Sequence, residues 1–214
     1  LDPSIQPNDK IEFTVALSND EGVFYEASIE KFFQPNVLLF SDPQVGFTDW
    51  NSTGWNRTTA GGYNGSRAFR TQDAVPYADN TIKTMTTANT YDLSSSNEVL
   101  VQFYTKWDLE RNYDFVELQA STNGTNWINL NGKYTKPSSS SSTNGHDSKP
   151  FSSSANFQNN NSSGHLYDGD RMDKWVMEEI VINDFNNTSI FGASNVSFRF
   201  RMRSDPDNEF ENYS

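Results

Sequence analysis

The chain has 214 residues and a formal net charge of −12, and so acidic a surface repels phosphate backbones, which sets nucleic acid aside as a partner. It has no cysteine, which excludes a disulfide frame and fits either the cytosol or a secreted bacterial product. No run approaches the roughly 18 apolar residues of a membrane helix, so no membrane span is expected.

Hydrophobic residues make up 34% of the chain, yet aromatics reach 14%, and flat rings pack well on pleated strands. That length suffices for one large all-β domain, or for a domain with a fragment of another. No signal peptide opens the chain, and Leu1-Asp2-Pro3 reads as a cut within a longer polypeptide.

Residues 10–17 alternate with period two and predict a strand. Asn19 to Gly22 is a turn, and Phe24 to Phe32 returns as a second strand. A lone hairpin is marginally stable at best, so residues 1–36 read as the tail of a preceding β domain or as a packed linker. Val37-Leu38-Leu39-Phe40 is a short apolar run, expected to be the first strand of the main domain, 37–214.

From Trp50 to Tyr91 the chain is rich in Gly, Asn and Thr, as expected of short strands between long loops. Glu98 to Tyr104 has the strongest strand propensity, and its apolar residues on both faces predict cover on both sides. Asp114 to Ala120 is the next strand. Asn123-Gly124 supplies the left-handed backbone of a tight turn, with Trp127 able to close over it.

Residues 136–164 form a Ser/Asn/Gly-rich surface insertion that holds His146, with His165 beside it. Trp175 to Ile182 is another strand. Val196 to Arg203 alternates strictly, which points Phe198, Phe200 and Met202 inward and Arg199, Arg201 and Arg203 outward. Eight to ten strands with long connections and no ordinary amphipathic helix predict a two-sheet sandwich.

Catalytic chemistry finds little footing. Zinc hydrolysis needs three or more suitable ligands around an open position, and two histidines in soft sequence do not supply them. No Gly-x-Ser-x-Gly elbow is present. Asp108, Glu110, Asp114, Glu117, Glu178 and Glu179 offer carboxylate pairs, but such spacings read as solvated sheet faces rather than a glycosidase dyad. Trp50, Trp55, Tyr63 and Tyr77 could stack on sugars, although large loop aromatics more often plug a sandwich core. The sequons at Asn51, Asn56, Asn123 and Asn195 are expected by chance in this composition.

Several short motifs follow one another along the second half of the chain: Trp107-Asp-Leu-Glu, Asp114-Phe-Val-Glu-Leu, Ser121-Thr-Asn-Gly-Thr-Asn-Trp127, Tyr167-Asp-Gly, Trp175-Val-Met-Glu, and Phe198-Arg-Phe-Arg-Met-Arg-Ser-Asp205. Over residues 37–214 this order resembles the MAM-like, galactose-binding-like jelly roll that follows secreted bacterial zinc carboxypeptidases and immune-inhibitor-A-type metallopeptidases. The resemblance implies a jelly-roll β-sandwich preceded by a hairpin from an upstream immunoglobulin-like domain. It implies a secreted or cell-surface bacterial protein whose fragment is a non-catalytic accessory domain, with the upstream domains of the same polypeptide as partners.

It also implies one structural calcium ion, for which Asp42, Asp205 and Asp207 are the matching carboxylates, and no zinc in this fragment. Gln44 stands where many relatives carry a carboxylate. The alternative reading is a carbohydrate-binding module of a polysaccharide-degrading or adhesion protein, with glycans as partners.

Overall fold

The computed structural model describes residues 4–71, 77–110, 114–135, 165–167, 169 and 171–204. Among these the chain is all-β. It divides into two compact units, Leu1–Ser41 and Asp42–Ser214.

The first unit is a hairpin of β1 (Lys10–Asn19) and β2 (Gly22–Phe32). Its register pairs Phe13 with Ile29, Val15 with Ala27 and Leu17 with Tyr25, so one face is apolar. The other face pairs Glu12 with Glu30 and Thr14 with Ser28. Lys10 Nζ reaches Glu30 at 2.9 Å and eases the repulsion between the two opposed carboxylates.

Val37 to Phe40 is not a strand, which corrects the sequence expectation. Those residues have no ladder partner, Val37, Leu38 and Phe40 are exposed, and the run belongs to the hairpin's unit. An apolar run becomes a strand only where a neighbouring edge accepts its backbone groups.

The second unit begins its strands at β3 (Trp50–Thr53). The rest are β4 (Asn56–Arg57), β5 (Phe69–Arg70), β6 (Ile82–Thr87), β7 (Val99–Thr105), β8 (Phe115–Ser121), β9 (Ile128–Asn129), β10 (Val176–Ile182) and β11 (Ser197–Arg203). One sheet has five strands in the order β3-β6-β11-β8-β9, and a second pairs β10 with β7. All pairs are antiparallel.

The two sheets share one core. Leu118 and Ala120 of β8 and Phe198 of β11 meet Ile180 and Ile182 of β10, with Val99, Val101 and Phe103 of β7 packed alongside. Leu93, Leu130, Ile190 and Val196 close this cluster from the connecting segments. This is a β-sandwich, and the alternation of β11 is as expected, with Met202 fully buried and Phe198 nearly so.

β7 departs from its expected cover on both sides. Val99, Val101 and Phe103 face the core, while Gln102 and Tyr104 are exposed on the outer face. Leu100 shares that face through its pairing with Val181, so apolar composition overstated the burial.

Gly132 sits where a side chain does not fit. A Cβ there would lie 2.7 Å from Ile180 Cγ1 and 2.9 Å from Glu178 Oε1. Gly132→Ala is therefore expected to destabilise the fold by about 1–3 kcal/mol through overpacking. An unchanged urea midpoint at constant slope would show that this segment does not press on β10.

Candidate functional site

The outer face of the five-stranded sheet carries the densest ordered polar chemistry among the described residues. β11 is its central strand, so Arg199, Arg201 and Arg203 stand at alternate positions in mid-sheet. The register sets Arg199 opposite Gln119, Arg201 opposite Glu117 and Arg203 opposite Phe115. On the other side Arg199 pairs with Thr86, Arg201 with Thr84 and Arg203 with Ile82.

Among the described residues, Arg199 and Arg201 make their side-chain hydrogen bonds to β8. Arg201 gives its Nε–H to Glu117 Oε2 at 2.7 Å, and its Nη2 lies 2.6 Å from the same oxygen. Glu117 is fully buried there, and the Arg201 side chain is 19% exposed. The other oxygen of Glu117 accepts the Asn129 Nδ2–H at 2.7 Å.

Asn129 Oδ1 in turn accepts from Gln119 Nε2 at 2.6 Å, and Gln119 Oε1 accepts the Arg199 Nε–H at 2.7 Å. The Arg199 guanidinium then lies over the Trp127 ring, 4.0 Å from its centroid. A continuous ladder thus runs Arg201–Glu117–Asn129–Gln119–Arg199–Trp127. Glu117, Gln119 and Asn129 in its middle are buried.

Burial, and then repulsion from Arg201, pushes the Arg199 pKa down to about 10. Burial likewise lowers that of Arg203, whose guanidinium lies 5.8 Å from the Phe115 ring centroid. Both groups remain cations at neutral pH.

Trp127 therefore does not simply close over its turn. Gly124 adopts φ +72°, as the Asn-Gly signal predicted. Ser121 Oγ accepts the Gly124 N–H, and Asn123 Oδ1 accepts those of Thr125 and Asn126. That rigid loop delivers Trp127 to the arginine.

Glu178 and Asp114 are buried with different partners. Glu178 shares the core-facing side of β10 with Ile180 and Ile182, and it is fully buried. Its carboxylate accepts the Tyr134 N–H at 3.1 Å and the Glu179 N–H at 2.7 Å. Tyr167 is buried beside it, and its hydroxyl closes no hydrogen bond of standard geometry among the described residues. Asp114 holds the Tyr77 hydroxyl, which also accepts the Glu110 N–H at 3.0 Å. Glu117, Glu178 and Asp114 are thus buried structural acids, which corrects the expectation of solvated faces.

Trp50 and Trp55 pack on Phe200, at 6.0 and 5.8 Å between centroids, and fill the space between the sheets. Tyr63 stacks on Tyr104 at 3.6 Å, on the outer face of β7. Trp107 and Tyr167, from separate motifs, meet at 5.0 Å. Ser204 clamps the end of β11, donating to Ala78 O at 2.8 Å and accepting the Thr81 N–H at 2.9 Å. The motif order thus marks positions that build the fold.

Of the carboxylates expected at calcium, Asp42 accepts the Gln44 N–H at 2.8 Å and shapes a local turn. Asp205 and Asp207 lie outside the described residues, as do His146 and the 136–164 insertion. Among the described residues no three His, Asp or Glu side chains gather as a metal site. His165 is half-buried, and burial lowers its pKa.

No family model matches the chain, and no curated protein matches it either.

Two outcomes follow. Glu117→Leu and Arg201→Met should each cost about 3 kcal/mol by stranding a buried charge, while the double variant should regain most of the loss. Additive losses in a double-mutant cycle would dismiss the coupling.

Burial and neighbouring carboxylates raise the pKa of Tyr77 and Tyr167 above the ordinary 10.0. A raised native pKa means that stability is intact below 10.0 and declines as pH climbs from there toward the native values. The melting midpoint should fall above pH 10, and more gently in Tyr77→Phe. Parallel profiles for the two proteins would discard the link.

Proposed function

We propose that residues 42–214 form a non-catalytic accessory module of a secreted bacterial zinc carboxypeptidase or related metallopeptidase. Its role is to hold the parent to a polymer or surface through the arginine-bearing face of the five-stranded sheet. The parent's identity rests on the order of the short motifs from Trp107 to Ser204, and a sandwich fold by itself hosts many functions.

The binding role rests on one observation. The Arg199 guanidinium sits over the Trp127 ring, 4.0 Å from its centroid, and gives its Nε–H to Gln119. A cation fixed in this way loses little side-chain freedom when a ligand arrives, so its hydrogen bonds count nearly in full toward affinity.

A second reading is supported by the other sheet. Tyr104 is 45% exposed with Tyr63 stacked on it, and a partly exposed aromatic pair of this kind suits a sugar. It favours a carbohydrate-binding module of a polysaccharide-degrading or adhesion protein.

The 214-residue chain is expected to be retained on insoluble cell-wall polymer and to leave peptide substrates intact with or without added zinc. Trp127→Ala should reduce retention several-fold, because it removes the platform under Arg199. Zinc-dependent peptide cleavage would end the non-catalytic reading, and equal retention of the variant would end the role of this face. A His-x-x-Glu zinc motif encoded upstream supports the peptidase parent, whereas a glycoside hydrolase there supports the second reading.

A further inference from the structure

We infer that the outer face of the five-stranded sheet binds an acidic polysaccharide, gripping its anionic groups with Arg199 and Arg201. The inference rests on the proposal that this face is the binding surface, and it names the ligand class.

The charge balance carries it first. The strand residues facing outward from β3, β6, β8, β9 and β11 include Asn51, Thr84, Thr86, Gln119 and Asn129, all neutral. The guanidiniums of Arg199 and Arg201 stand among them, and Glu117 answers Arg201. The face is therefore locally cationic on a chain whose formal charge is −12. A solubility device would follow the overall sign, and this stripe opposes it.

Donor geometry carries it further. Arg199 commits its Nε–H to Gln119, which leaves its Nη donors without a partner among the described residues. Arg201 spends its Nε–H and Nη2 on Glu117, which leaves its Nη1 likewise open. A guanidinium edge presents two parallel N–H groups that match a carboxylate or sulfate. Alternate residues on a strand sit roughly 7 Å apart, so Arg199 and Arg201 offer two anion contacts along one line. A repeating acidic chain supplies anions in such a row.

A sugar chain fits better than the other polyanions. The overall negative charge opposes the dense phosphates of nucleic acid. Thr84 and Thr86, the cross-strand neighbours of Arg201 and Arg199, flank the arginines with hydroxyls suited to a sugar. Carboxylated and sulfated chains share the required chemistry, and the experiment separates them.

The test is affinity electrophoresis and calorimetry of the full chain with polygalacturonate, heparin, neutral dextran and single-stranded DNA. The variants are Arg199→Gln, Arg199→Lys and Thr86→Glu. Polygalacturonate or heparin should bind, the stronger one identifying carboxylate or sulfate. Binding should vanish near 1 M salt, where the screening length is about 3 Å.

Arg199→Gln should weaken binding at least about tenfold, and Arg199→Lys should only partly restore it because the paired fork is lost. Thr86→Glu places a carboxylate beside an intact Arg199, so it tests the site even if Arg199→Gln fails to fold.

Salt-insensitive binding of dextran that is lost in the variants would keep the face and overturn the acidic ligand. Stronger binding of single-stranded DNA would overturn the ligand class as well. Binding to none of the four probes, or binding unchanged in Arg199→Gln and Thr86→Glu, would overturn the face itself.

Discussion

The architecture of the larger unit depends on the position of β11. It pairs with β6 on one edge and β8 on the other, so its backbone groups are committed and its side chains act only through the two faces. Phe198, Phe200 and Met202 supply the inner face and join the sheets. The outer face then receives three arginines in mid-sheet, where their stems must lie on neighbouring strands and their charges must be answered. Glu117 answers Arg201 directly. Once that pair is set, Asn129, Gln119, Arg199 and Trp127 take their positions in sequence along one hydrogen-bonded ladder.

Glu178 is the counterpart on the other sheet. It takes a core-facing place that an apolar residue would fill at less desolvation cost, and two backbone N–H groups offset part of that cost. The donors come from Tyr134 and from Glu179, so the carboxylate ties the 130–135 segment to β10. Gly132 is small for the same reason, since this segment lies directly over Glu178 and Ile180. Each sheet therefore uses one buried carboxylate as an anchor. One is answered by a guanidinium and the other by backbone N–H groups.

Much of this fold was legible because period-two patterning is local. Val196 to Arg203 announces its faces without reference to the rest of the chain, and the same holds for residues 10–17. Val37 to Phe40 was misread because a continuous apolar run carries no period, and only an available sheet edge makes it a strand. The ladder was legible only in part. Outward arginines followed from alternation, but Arg201 finds its carboxylate 84 residues away. That partnership is a matter of register, which spacing along the chain does not encode. The burial of Glu117 was hidden for a related reason, because its partners Arg201 and Asn129 come from neighbouring strands.

A cationic face on an acidic chain has a consequence for recognition. At low ionic strength the screening length is about 30 Å, so an approaching polyanion meets the repulsion of the whole molecule. Near physiological ionic strength it shortens to about 8 Å, and only charges close to the contact matter. The guanidiniums of Arg199 and Arg201 then act locally while the remaining acidic surface falls silent. Such a face selects a ligand that reaches the stripe as a narrow, extended chain, because a broad anionic surface would also meet carboxylates elsewhere on a chain with 28 Asp and Glu. The chain's overall acidity thus works as a filter on ligand shape, and the ordered ladder beneath the arginines keeps their donors aimed for the ligand that passes it.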